Sequence, residues 1–147
     1  NALRVAASPA ARGLGALICF NGTIHAARDV TKVHTSAVET FQSPDHGPLG
    51  QVDGEDVVIH RRPLLRETFS VDRLEQRVRL FRLSLGVDLE DLRAIIARRP
   101  AGLVIEAFGR GNGPSALTPI VREARQQDVV VVLSSRCAAG RVKPVYG

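Results

Sequence analysis

The residues with the clearest chemical potential stand in the run His25-Ala-Ala-Arg-Asp-Val-Thr-Lys32. It directly follows the largely apolar stretch Ala16-Leu-Ile-Cys-Phe-Asn-Gly-Thr-Ile24. Asn21-Gly22 within that stretch is the strongest two-residue hairpin signal, because a type I′ turn needs positive φ at both central positions. A lysine at the exit of such a hairpin can be held rigidly and partly out of water, which suits it to handling protons. Residue chemistry alone favours the opposite outcome, since buried lysines are rare. Lys32 therefore points either into a cleft or into open water.

A second cluster is the glycine loop Glu106-Ala-Phe-Gly109-Arg-Gly-Asn-Gly113-Pro, between a strand and a helix. Ligands of open α/β sheets bind outside the carboxyl ends of the strands. Backbone N–H groups beside glycine, together with a helix N-terminus, can meet an anion or an amide there. The Gly-x-Gly-x-Gly spacing is neither the dinucleotide fingerprint nor a P-loop, and a tight strand-to-helix turn accounts for the same residues. His25 and Asp29 do not make a ligand pair in extended structure. His34, His46 and His60 lack metal spacing with the cysteines. Each histidine reads as a polar loop or surface residue, and a metal site has no support. Cys19 and Cys137 read as small hydrophobes or incidental thiols, without a disulfide framework.

The elements that must position these residues fall into four regions. Residues 1–14 read as a helix end and a loop broken by Ser8-Pro9 and Gly13. Residues 15–30 form the hairpin. Residues 31–72 are irregular and polar, with a short strand pair at Gln51-Val52 and Val57-Val58-Ile59 joined across Asp53-Gly54. Pro63 and the arginines around it suit an exposed connector. From about residue 77 strands and helices alternate. Val78–Leu85 is a strand, Asp88 an N-cap, Leu89, Leu92, Ile95 and Ile96 one helical face, and Pro100 the stop. Gly102–Phe108 is a buried strand. Leu117, Ile120, Val121 and Ala124 stripe a second helix, capped by Ser115, or by Thr118 with Pro119 at N1. Asp128–Leu133 is a third strand, apolar enough to be covered on both faces. Strand–helix–strand–helix–strand with short links implies a parallel sheet with right-handed crossovers. The fold class is α/β: the end of an N-terminal α/β domain with its hairpin (1–62), a linker (63–76) and a small, incomplete parallel-sheet βαβαβ domain (77–147).

Bulk properties narrow the function classes. The 147 residues, 44% hydrophobic and 24% charged, have an ordinary globular composition. No apolar run approaches the roughly 20 residues that span a bilayer, and the first residues lack a secretory pattern. A net charge of +5 invites a nucleic-acid reading, but the arginines are scattered and only 4% of residues are aromatic. A solvated arginine-rich surface is the better account. The chain contains no methionine and opens on Asn1-Ala-Leu-Arg-Val-Ala-Ala, so it reads as an excerpt from something longer.

The hairpin with His25–Lys32, followed by Phe41-Gln-Ser43 and Gly47-Pro-Leu-Gly50, resembles the bacterial L-asparaginase (asparaginase/glutaminase) family. Gly102-Leu-Val-Ile-Glu-Ala-Phe-Gly-Arg-Gly-Asn112 and Val132-Leu-Ser-Ser-Arg136 resemble two stretches of that family's C-terminal domain, in family order and at family spacing. The resemblance implies amide hydrolysis by an activated threonine, without metal or cofactor. Lys32 matches the lysine that assists proton removal from the attacking hydroxyl. The threonines, their aspartate and the substrate-gripping loop would lie upstream of Asn1, leaving residues 1–147 inactive alone. Family sites are completed by a neighbouring subunit of a homo-oligomer, which implies that Asn112 binds substrate there. The implied substrate is L-asparagine, with L-glutamine as the competing amide, and neither nucleic acid nor membrane is a partner. Pro114 stands where one member type carries a second asparagine, which points to a cytoplasmic-type enzyme. Val33 stands where threonine is common. Two other readings remain: the related subunit of a glutamine-dependent tRNA amidotransferase, and a non-catalytic oligomerisation module.

Overall fold

A computed structural model of the chain describes residues 1–64 and 68–145. Residues 65–67 of the expected linker and 146–147 of the expected C-terminal segment lie outside the described residues. The chain divides into two compact units, Asn1–Phe69 and Ser70–Gly147.

In the first unit a short helix, α1 (Ala2–Ala7), and a 3-10 turn (Pro9–Ala11) precede the hairpin of β1 (Leu17–Phe20) and β2 (Thr23–Ala26). Asn21 and Gly22 both take positive φ, 46° and 75°, as a type I′ turn requires. Two very short strands follow, β3 (Thr31–Lys32) and β4 (Phe41–Gln42), which pair antiparallel as a separate sheet. Residues 31–42 are thus not wholly irregular, although two-residue strands leave no periodicity to read. A second hairpin, β5 (Gly50–Asp53) and β6 (Asp56–Ile59), completes the antiparallel sheet β1-β2-β5-β6. Its turn is Gly54-Glu55 rather than Asp53-Gly54, because Asp53 pairs with Asp56. Gly54 supplies the positive φ, 56°. Leu14, Ala26 and Leu49 form a small core here. Arg61 and Arg62 are both anchored, the exposed Arg62 donating to the carbonyls of Ala10 and Arg12.

The second unit is β7 (Val78–Arg82), α2 (Leu89–Ala97), β8 (Gly102–Ala107), α3 (Leu117–Gln126) and β9 (Val130–Ser135). The strands form a parallel sheet in the order β7-β8-β9. Asp88 caps α2, its carboxylate accepting from the Glu90 amide at 2.9 Å. The helix ends before Pro100, at Arg98, and Arg99 takes φ 49°. The start of α3 differs from both sequence options. Ala116 is the N-cap without a side-chain bond, so neither Ser115 nor Thr118 caps the helix and Pro119 occupies its third position. That position costs little, because the first four helical amides have no partner within the helix. Leu83, Leu92, Ile96, Leu103, Ile105 and Ile120 pack as the core between sheet and helices. β9 departs from expectation: Val130 and Val132 are 66% and 51% exposed. It is an edge strand, and these side chains share a face with Val78 and Leu80, away from the helix-covered one.

Candidate functional site

Lys32 stands directly opposite Phe41 in the β3–β4 ladder, which the Val33 amide extends by donating to the Thr40 carbonyl at 2.8 Å. Its Nζ lies 5.4 Å from the centroid of the Phe41 ring, a cation–π distance. That ring meets Phe20 of β1 edge-on, centroids 5.3 Å apart. Lys32 is exposed in this chain. A groove of about 400 Å³ opens beside it, lined by Phe20, His25, Phe41 and Ser43 among others; Lys32 does not line it.

The segment leading to Lys32 is pinned by charge. The Asp29 carboxylate, with only 9% of its side chain exposed, pairs with Arg61 Nη2 at 3.4 Å and Arg28 Nε at 3.6 Å. Arg61 also donates to the carbonyls of Pro48, at 3.0 Å, and Gly47. Leu49 returns to the hairpin, its amide donating to Ile24 O at 2.7 Å.

His25 overturns the reading of every histidine as a loop or surface residue. It sits in β2 at 4% exposure, flanked by Ile24 and Ala26, which are both buried. Its Nδ1 is hydrogen-bonded to Ser43 Oγ at 2.9 Å. Burial lowers its pKa below the ordinary 6.5, and the Arg61 charge lowers it further. The signal was its position within the apolar run of a hairpin strand. His34, His46 and His60 are exposed, and His34 Nδ1 accepts from the Ser36 and Ala37 amides.

In the second unit the glycine loop leaves the carboxyl end of the central strand. Phe108 and Asn112 exchange backbone hydrogen bonds of 2.9 and 2.8 Å, closing the loop on itself. Gly109 and Gly111 take φ 47° and 113°. A Cβ on Gly111 would meet Val142 at 3.0 Å and Leu133 at 3.2 Å. Ser135 Oγ donates to Gly109 O at 2.6 Å. The Arg136 guanidinium lies 4.5 Å from the Phe108 ring centroid. Asn112 is exposed, and its Oδ1 accepts from the Gly113 amide at 2.9 Å. It borders a groove of about 700 Å³ with Gly111, Gly113, Pro114 and Leu117. The tight-turn reading and the ligand reading therefore describe one loop: the Phe108, Gly111 and Asn112 amides close the turn, and Asn112 stands at the groove's edge. Lys32 and Asn112 belong to different units.

These features define a two-part α/β chain: an antiparallel unit presenting a lysine on an aromatic platform, and a parallel-sheet unit presenting a glycine loop. The chain belongs to the asparaginase family. Residues 1–65 match the model "Asparaginase, N-terminal" and residues 77–147 match "Glutaminase/Asparaginase C-terminal domain". It is 41% identical to "Probable L-asparaginase" of Deinococcus radiodurans, over 100% of this chain and 45% of the relative. It is 35% identical to "Probable L-asparaginase periplasmic" of Haemophilus influenzae, over 95% and 42%. It is 30% identical to a glutamyl-tRNA(Gln) amidotransferase subunit of Methanothermobacter thermautotrophicus, over 85% and 31%. The chain thus spans less than half the length of these curated relatives. Among the described residues, no helix is long and apolar enough to cross a membrane.

Proposed function

We propose that these residues are part of an amidohydrolase that converts L-asparagine to L-aspartate and ammonia. A threonine hydroxyl outside residues 1–147 attacks the side-chain amide carbon, ammonia leaves, and water releases aspartate from the resulting ester. Lys32 takes part in moving the proton off the attacking hydroxyl, which is a poor nucleophile until it loses that proton. The observation that carries this reading is the placement of the Lys32 amine. It is paired through its backbone opposite Phe41, seated over that ring and open to an approaching group. Asn112 contributes to substrate binding in the site of a neighbouring subunit of a homo-oligomer. L-Glutamine is the competing substrate. The domains run 1–62 and 77–147 with a linker over 63–76, and Pro114 favours a cytoplasmic enzyme.

The test is ammonia release. Full-length protein carrying Lys32→Met should lose activity by orders of magnitude while keeping its circular dichroism, and near-normal turnover refutes the role of Lys32. Residues 1–147 alone should release no ammonia from asparagine, and turnover by them refutes the external nucleophile. Similarity to the amidotransferase protein supports a second reading, in which the amide is glutamine and the ammonia serves a tRNA-linked reaction. Co-purifying tRNA and a glutamine preference would select that reading.

A further inference from the structure

The β3–β4 ladder that carries Lys32 is two residues long and is not part of the four-stranded sheet. A two-stranded ribbon is marginal in water at best, so other contacts must hold it. Two contacts tie β4 to the first hairpin. One is the edge-on meeting of Phe41 with Phe20, at the end of β1. The other is the bond between Ser43, immediately after β4, and His25 in the middle of β2. Both ends of that bond are buried, His25 at 4% and Ser43 at 6% exposure. A buried hydrogen bond resists loss, because breaking it strands a polar group without water. Phe41 lies two residues before Ser43 and supports the Lys32 amine.

We infer that His25 is a positioning residue for Lys32, acting through Ser43 and the Phe41 ring to fix where the amine stands. The structural part needs only the contacts above; the catalytic consequence rests on the role proposed for Lys32. A core histidine that merely filled space would be replaced by leucine with no effect on the lysine.

Residues 1–147 hold only two lysines, Lys32 and Lys143. In full-length protein labelled with 13C at the lysine ε carbon, Lys32→Arg removes, and so assigns, the Lys32 methylene signal. The Lys32 signal should lie upfield through the Phe41 ring current, and Phe41→Leu should abolish that displacement. His25→Leu combined with Ser43→Ala removes both polar ends together and should also lose it. His25→Asn, which keeps a polar atom near the Nδ1 position, should retain it. Persistence of the displacement in the double variant overturns the inference. If that variant does not fold, Ser43→Ala alone carries the same test. In the full-length enzyme the double variant should lower kcat at least tenfold with KM little changed; unchanged kcat alongside an inactive Lys32→Met also overturns the inference. If Lys32→Met is itself active, the catalytic reading fails while the lysine signal still decides the structural one.

Discussion

Gly50 offers the sharpest stability test of this architecture. It begins β5 and pairs with Ile24 on one side and Ile59 on the other. A Cβ built there would lie 2.0 Å from Val58 O, 2.9 Å from Ile59 Cα and 3.0 Å from Val58 C. The first distance is a full 1 Å inside the 3.0 Å that real Cβ atoms keep, and every obstructing atom is backbone. No rotamer change can relieve the clash, so strands β5 and β6 must separate locally. Overpacking costs about 1–3 kcal/mol and sometimes more. Loosening one or two ladder hydrogen bonds adds about 1 kcal/mol each. Gly50→Ala should therefore cost about 2–5 kcal/mol, a large share of the roughly 3–10 kcal/mol expected for a unit of this size. Gly47→Ala is the comparison: its φ is +69° but nothing lies within 4 Å of the added carbon. It should cost only about 1–2 kcal/mol, from the left-handed backbone. With no tryptophan in the chain, urea unfolding is best followed through a resolved amide signal such as that of Val52. A Gly50→Ala midpoint no lower than that of Gly47→Ala would refute the reasoning.

Three further outcomes follow from the same contacts. The folded-state pKa of His25 is lowered by burial and by Arg61, so the unfolded chain takes up this proton more readily. The stability tied to the neutral ring is complete above about pH 6.5 and falls as pH drops from there toward the folded value. Urea midpoints at about pH 7.5 and about pH 5.5 should thus differ more in the wild type than in His25→Leu, and equal differences would exclude it. Asp88→Ala removes the carboxylate that accepts from the Glu90 amide; it should cost about 1 kcal/mol, with Asp88→Asn or Asp88→Ser largely preserving stability in thermal melts. Ile105→Ala empties a fully buried position at the centre of the parallel sheet and should cost about 2–5 kcal/mol by chemical denaturation.

What could be read in advance was what local chemistry dictates. The Asn21-Gly22 turn, the Asp88 cap and the succession of three parallel strands and two helices each depend on neighbours a few residues away. The helical stripes at Leu92–Ile96 and Leu117–Ala124 repeat long enough to be unmistakable. The misses have a common cause in partners distant along the chain. β2 buries three successive residues, Ile24, His25 and Ala26, so the alternation expected of a half-buried strand never appears, and only the apolar run it continues marks His25 as a core residue. β3 and β4 are two residues each, with residues 33–40 between them. β9 reads as doubly covered because its composition is apolar, yet composition cannot tell an edge strand from a central one. Lys32 was legible as a candidate from its place at the exit of the hairpin; the contacts of Phe41 with Lys32 and of Ser43 with His25 were not.

That support explains why the two motifs of the first unit occur together. Arg61 donates to Gly47 O and Pro48 O with the same guanidinium that pairs with Asp29, three residues before Lys32. Leu49, fully buried, sends its amide to Ile24 O beside His25. Gly50 lets a strand approach closer than any side chain permits. The run Gly47-Pro-Leu-Gly50 thus carries no reactive group, and each of its members touches the hairpin or the arginine that orients the segment holding the lysine. An ammonium on an exposed two-residue strand would otherwise sample many directions, which the proton transfer proposed for Lys32 would not tolerate. The Gly47–Gly50 run and the buried His25–Ser43 bond thus brace the same hairpin from opposite ends of the segment that holds Lys32, and the positioning inferred for the lysine predicts that weakening either one loosens its amine.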